Sequence, residues 1–161
     1  MDLTIKAFYK TFWDKPDVSL TIFGDGIERS RLEKLIKEYN LEKKIILMGM
    51  CDRKIIAKKL MDSDCFILAS RSETFGVAYI EALAAGVPVI ATQCGGPEAF
   101  VNETNGMLVP RENVDLLSTA MEYMYINIKQ FDKERISNNI KLQFSPEIVS
   151  KNLIKIYNNL I

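Results

Sequence analysis

The sequence predicts an α/β protein: a Rossmann-like, doubly wound parallel sheet in three layers, forming one domain over residues 1–161. Three observations lead there. Short apolar runs alternate with helical patterns along the chain. Those runs are apolar throughout rather than alternating, as strands covered on both faces are. Polar or glycine-rich clusters follow the strands, and sheets of this class bind ligands beyond their carboxyl ends.

The elements follow in order. Ile5, Phe8, Tyr9 and Phe12 recur at helical spacing, so the chain opens on an amphipathic helix. "SLTIFG" is a first strand stopped by "GDG", and a helix follows with Leu32, Leu35, Ile36 and Tyr39 on one face. "KIILMG" is a second strand, "RKIIAKKLMDS" a helix and "DCFILAS" a third strand. "VPVIAT" and "GMLVP" give strands four and five. Helices around Val114–Ile126, Phe131–Asn139 and Pro146–Leu160 close the chain, joined by the polar stretch "NIKQFDKERI".

Composition narrows the function. Twenty-one basic residues balance twenty-one acidic ones, which gives no general pull toward nucleic acid or an anionic membrane. The chain has no histidine, so histidine-based acid–base chemistry is excluded. Cys51, Cys65 and Cys94 are widely spaced with no C-x-x-C pair, which argues against a zinc site. An odd cysteine count without a disulfide framework fits a cytoplasmic location, and Cys65 reads as a small buried hydrophobe. No apolar run reaches the length of a membrane span.

The unusual residues gather after strands: "GDG", "GMCD", "SRSETFG" and "QCGGPE" should share one sheet edge. The third cluster carries Glu73, and Glu81 follows seven residues later, across a predicted helix start near Gly76–Val77. Ser72 or Thr74 is placed to cap that helix, and Gly76 permits a tight turn or a close approach to ligand. Free amides at the helix start favour an anion, most naturally phosphate. A carboxylate suits vicinal sugar hydroxyls. Two carboxylates flanking a phosphate seat therefore match a sugar nucleotide. A glycosidase-like acid–base pair, with carboxyls roughly 5–5.5 Å apart, is the rival reading.

"ETFGVAYIEALAAGVPVIATQCGGPEAFV" resembles the carboxyl-terminal domain of GT-B glycosyltransferases, specifically glycosyltransferase family 4. "LTIFGDGIERSRLEKLIKE", "KIILMGMCDRKIIAKKLMDSDCFILAS", "NGMLVPRENVDLLSTAM" and "FSPEIVSKNLIKIY" extend the likeness over nearly the whole chain, in the family's order. The resemblance implies retaining transfer of a sugar from a nucleotide donor to a hydroxyl acceptor, without a metal or other cofactor. It gives Glu81 the nucleotide ribose and Glu73 the transferred sugar, as the candidate catalytic residue. It sets the backbone of Phe75, Gly76 and Val77 against the sugar and distal phosphate. It gives Gly24 and Gly26 the pocket edge, and Met50 and Cys51 the base.

One departure stands at the front. The family enters this domain through a central strand, a "G-R" turn and a basic loop whose arginine and lysine hold the diphosphate. This chain starts at the following helix, "DLTIKAFYKTF". The resemblance therefore implies that the central strand and the amino-terminal acceptor domain lie outside it, and that the chain alone is catalytically incomplete. Any membrane association would run through that domain. The expected strand order is 2-1-3-4-5, with strands one and three brought together or left beside a gap, and either closure or a partner's strand to satisfy their edges. A non-catalytic sugar-nucleotide-binding or interaction module remains the alternative function.

Overall fold

A computed structural model describes residues 1–159 of the chain. Its strands are β1 (Leu20–Phe23), β2 (Ile45–Gly49), β3 (Phe66–Leu68), β4 (Val89–Thr92) and β5 (Gly106–Val109). Its α-helices are α1 (Asp2–Phe12), α2 (Arg29–Glu38), α3 (Arg53–Met61), α4 (Val77–Ala84), α5 (Val114–Asn127), α6 (Lys133–Phe144) and α7 (Pro146–Asn158). All five apolar runs are strands, and every strand pair is parallel.

The three layers can be followed along β4, whose residues are all buried. Ile90 joins a core with Ile5, Phe8 and Phe12 of α1, Leu32 and Ile36 of α2, and Leu117 and Met121 of α5. Its neighbours Val89 and Ala91 join a second core with Leu60 of α3, Tyr79 and Leu83 of α4, and Ile136 and Ile140 of α6. Successive strand residues point to opposite faces, so a strand buried throughout needs helices on both sides. Tyr9 leaves the core side of α1 and stacks on Tyr39, the residue just after α2, with ring centroids 4.4 Å apart.

The sheet is split. β1 and β2 form one ladder, and β3, β4 and β5 form another in that order. No ladder joins β1 to β3 among the described residues. The gap branch of the expected order is the one observed: β1 and β3 are not closed onto one another. Parallel ladders use alternate residues on each side. Leu20 donates to the Lys44 carbonyl on the β2 side, and Phe66 donates to the Pro88 carbonyl on the β4 side. Thr21, Phe23 and Ile67 therefore turn their backbone groups toward the gap. All three residues are half-buried rather than buried. The one apolar core with α1 and α5 spans both sheets and holds them without a shared ladder.

The closing helices differ slightly from the sequence pattern. α6 starts at Lys133 rather than Phe131, because the Asp132 carboxylate caps it by accepting from the Arg135 amide at 3.0 Å. Phe131 instead packs against both cores. α7 is capped by Ser145, and Leu160 of the expected helix lies outside the described residues.

Candidate functional site

The glutamate segment starts where β3 ends. From Ser70 the chain crosses to α4 in a short loop tied to the turn after β4. The Glu73 amide donates to the Cys94 carbonyl at 3.1 Å, and the Gly96 amide donates to the Glu73 carbonyl at 2.9 Å. Glu98 fixes the far side of that turn, its carboxylate accepting from the Gly95 amide at 3.0 Å. Thr92 adds a hydroxyl bond to the Ser70 carbonyl at 2.5 Å. The ends of β3 and β4 are thus bound to one another.

Helix α4 does begin at Val77, but neither Ser72 nor Thr74 caps it. The N-cap is Gly76, in the left-handed region at φ 90° and ψ 55°, with no side-chain cap. A Cβ there would lie 2.7 Å from Cδ2 of Tyr79, so glycine is required by both backbone and space. A glycine cap leaves the first amides of the helix unclaimed. Tyr79 N–H donates to the Gly76 carbonyl, while the Val77 and Ala78 amides have no hydrogen-bond partner among the described residues. Unpaired amides at a helix start, with the positive end of its dipole, form an anion seat.

The two carboxylates flank this start differently. Glu73 is half-buried before it, and its Oε1 accepts from the Ser70 hydroxyl at 2.7 Å. Its other oxygen has no hydrogen-bond partner among the described residues. Glu81 lies one turn inside α4 and is exposed. Val77 and Phe75 are also exposed, whereas Gly76 is buried.

Beneath them, Tyr79 is fully buried and its hydroxyl donates to the Leu68 carbonyl at 2.5 Å. Burial foremost, together with the neighbouring Cys94 and Glu73, raises the phenol above its ordinary pKa and keeps it a donor. The bond ties α4 to the end of β3. Tyr79→Phe should therefore cost about 1–3 kcal/mol, the range for leaving a buried acceptor unpaired, with urea denaturation as the measurement. Sequence pattern marked Tyr79 only as a helix residue. The signal for Ser70 and Glu98 was their place after strands, without any assigned partner; Thr92 stood only as the end of strand four.

The remaining expected residues sit at the ends of the other sheet. Gly24 donates to the Gly49 carbonyl at 2.9 Å, joining the two strand ends. Gly26 is exposed and its amide is turned onto the Asp25 carboxylate at 2.8 Å. Met50 is 84% exposed, an unusual setting for a large apolar side chain, while Cys51 is half-buried. The structure brings Glu73, Phe75, Gly76 and Val77 together with the 94–98 turn. Gly24, Gly26, Met50 and Cys51 form a second group, and no hydrogen bond links the two groups among the described residues. Beside the first group, Arg71, Arg111 and Glu112 line an open cavity of about 470 Å³. There Arg71 pairs with Glu112 at 2.9 Å, and Arg111 donates to the Arg71 carbonyl at 3.1 Å.

Among the described residues, no group of three His, Cys, Asp or Glu side chains is placed to hold a metal ion. All three cysteines are free thiols. Cys65 is half-buried rather than fully buried, packed against the α1–α5 core; desolvation, with Asp64 beside it, pushes its thiol well above the ordinary pKa, which keeps it protonated.

The family model for glycosyl transferases group 1 matches residues 1–143. The chain belongs to that family. It is 32% identical over 136 residues to 2-deoxystreptamine N-acetyl-D-glucosaminyltransferase of Niallia circulans, covering 84% of this chain and 33% of the relative. Among solved structures it resembles sucrose-phosphate synthase of Thermosynechococcus elongatus, with 26% identity and a TM-score of 0.84 over 98% of this chain and 42% of that one. It also resembles a glycosyltransferase of Rickettsia africae, with 26% identity and a TM-score of 0.85 over 98% of this chain and 43% of that one. The chain thus spans about a third of the curated relative's length and two-fifths of each solved chain. The fold is the Rossmann-like domain of the GT-B glycosyltransferases. No helix among the described residues is long and apolar enough to cross a membrane.

Proposed function

We propose that this chain binds the nucleotide-sugar donor of a retaining glycosyl transfer. The observation that carries the reading is the start of α4. Two unpaired amides, Val77 and Ala78, lie between a half-buried carboxylate before the helix and an exposed one inside it. In this reading the diphosphate sits on the amides, Glu73 holds hydroxyls of the transferred sugar, and Glu81 holds the ribose. The Phe75–Val77 backbone faces the sugar and distal phosphate. Gly24 and Gly26 bound the pocket, and the base lies along Met50 and Cys51.

As the bond from the anomeric carbon to the diphosphate breaks, negative charge grows on the leaving oxygens. Amides fixed beforehand stabilise that charge without reorganising. Glu73, one oxygen held by Ser70, is preset to orient the sugar and to face its growing positive character. No metal is assigned a role, and the donor is substrate rather than cofactor.

The acceptor enters from a further domain of the working enzyme. Support comes from α7, where Val149, Leu153, Ile156 and Tyr157 are all exposed and no residue of the helix is buried. Such an apolar stripe calls for a covering surface. The reading places the protein in the cytoplasm, where nucleotide sugars and free thiols coexist.

A thermal-shift screen across UDP-, GDP- and ADP-sugars tests the reading. The correct donor at a hundredfold its dissociation constant should stabilise the chain by about 2.7 kcal/mol. For a domain of this size that raises Tm by roughly 5–11 °C. No shift with any donor would overturn donor binding.

A further inference from the structure

We propose that Phe144 is a positioning residue for the Glu73–Val77 loop. Three phenylalanines meet beside that loop. The Phe75 ring lies 5.8 Å from Phe100 and 5.5 Å from Phe144, and Phe100 lies 6.0 Å from Phe144. The planes meet at 64°, 77° and 80°, edge-to-face arrangements that are favourable and directional.

The loop is held from two sides. On one side its backbone presses on the turn after β4. A Cβ on Gly96 would fall 2.6 Å from the Phe75 Cα. On the other side the Phe75 side chain is 41% exposed, and rings from outside the loop pin it there. Phe100 is buried beside that same turn. Phe144 comes from far along the chain, as the last residue of α6. α6 is anchored independently of it. Ile136 and Ile140 are buried against α4, and the Ser137 hydroxyl donates to the Ala84 carbonyl at 2.6 Å. The helix therefore delivers the Phe144 ring to a fixed point.

Removing that ring takes away one wall of the Phe75 seat and touches no polar group of the site. The Phe75 ring then gains rotamers, and the loop that presents Glu73 and the free amides loosens with it. Phe144 acts on the loop through its contact with the Phe75 ring. Its functional meaning rests on the donor-binding reading, but its structural role is testable without a donor.

The test is amide hydrogen exchange read residue by residue in the full chain. Three bonds report on the loop: Glu73 N–H to Cys94, Gly96 N–H to Glu73, and Tyr79 N–H to Gly76. In Phe144→Ala these three amides should exchange at least about tenfold faster, while Ala85 N–H at the other end of α4 keeps its rate. Phe144→Leu should give an intermediate rise and covers the case in which the alanine variant unfolds. Phe144→Tyr retains the ring and should restore the wild-type rates. Ile36→Val, a destabilising change in the other core, should leave the three amides alone. Unchanged exchange in the alanine and leucine variants would overturn the proposal, as would an equal rise throughout α4 and α6. A wild-type chain that binds no nucleotide sugar would remove the donor reading, whereas these rates decide the role of Phe144 by themselves.

Discussion

Glu81→Ala should bind its nucleotide sugar roughly 10- to 100-fold more weakly, as measured by titration calorimetry, with little change in Tm. The magnitude follows from charged hydrogen bonds, worth about 1.5–3 kcal/mol each when a partner is removed. The specificity of the effect follows from place. Glu81 is exposed on α4, makes no ion pair among the described residues, and supports no packing. Its loss therefore costs the fold little. Glu73 offers no such separation, because its backbone and carboxylate also close the loop. Unchanged affinity in Glu81→Ala would remove the ribose role from that residue.

Gly96→Ala should show the largest combined loss, in stability and in binding. A Cβ at this position would run into the Phe75 carbonyl oxygen and carbonyl carbon, both backbone atoms that no rotamer change can move aside. Overpacking of this kind costs about 1–3 kcal/mol, which for a domain of this size lowers Tm by roughly 2–12 °C. The loop can relieve the clash only by moving away from the turn, which breaks the Gly96-to-Glu73 bond. Binding should fall for that reason even at temperatures where the variant remains folded. A variant with wild-type Tm and wild-type affinity would show that the loop and the turn do not depend on their close contact.

How much of this was legible in the sequence depends on range. The five strands and the start of α4 are local patterns of apolar runs and turn residues, and they were readable because each is decided within a few neighbours. Gly76 was marked as a turn residue, yet its service as the N-cap itself was not. Ser72 and Thr74 have the right chemistry for a cap, and only the left-handed backbone at Gly76 rules them out. The split between β1 and β3 was readable as an alternative, since strand order follows from topology. That the gap stays open depends on one core bridging both sheets, which no local pattern encodes. The partners of Tyr79, Glu98 and Phe144 are likewise tertiary. Phe144 ends a helix with an ordinary apolar stripe, and nothing near it in sequence points to Phe75. The candidate site residues were nominated because polar and glycine-rich clusters follow strands; what holds them in place was not legible, because it comes from elsewhere in the chain.

The measurement that tests the central claim most directly is a titration of the isotopically labelled chain with nucleotide sugar, followed by amide shifts. The account predicts saturable shifts at Gly76, Val77 and Ala78, with a second set at Gly24, Gly26, Met50 and Cys51, since one donor must span both groups. Saturable binding that leaves the start of α4 unmoved and shifts residues elsewhere would contradict it.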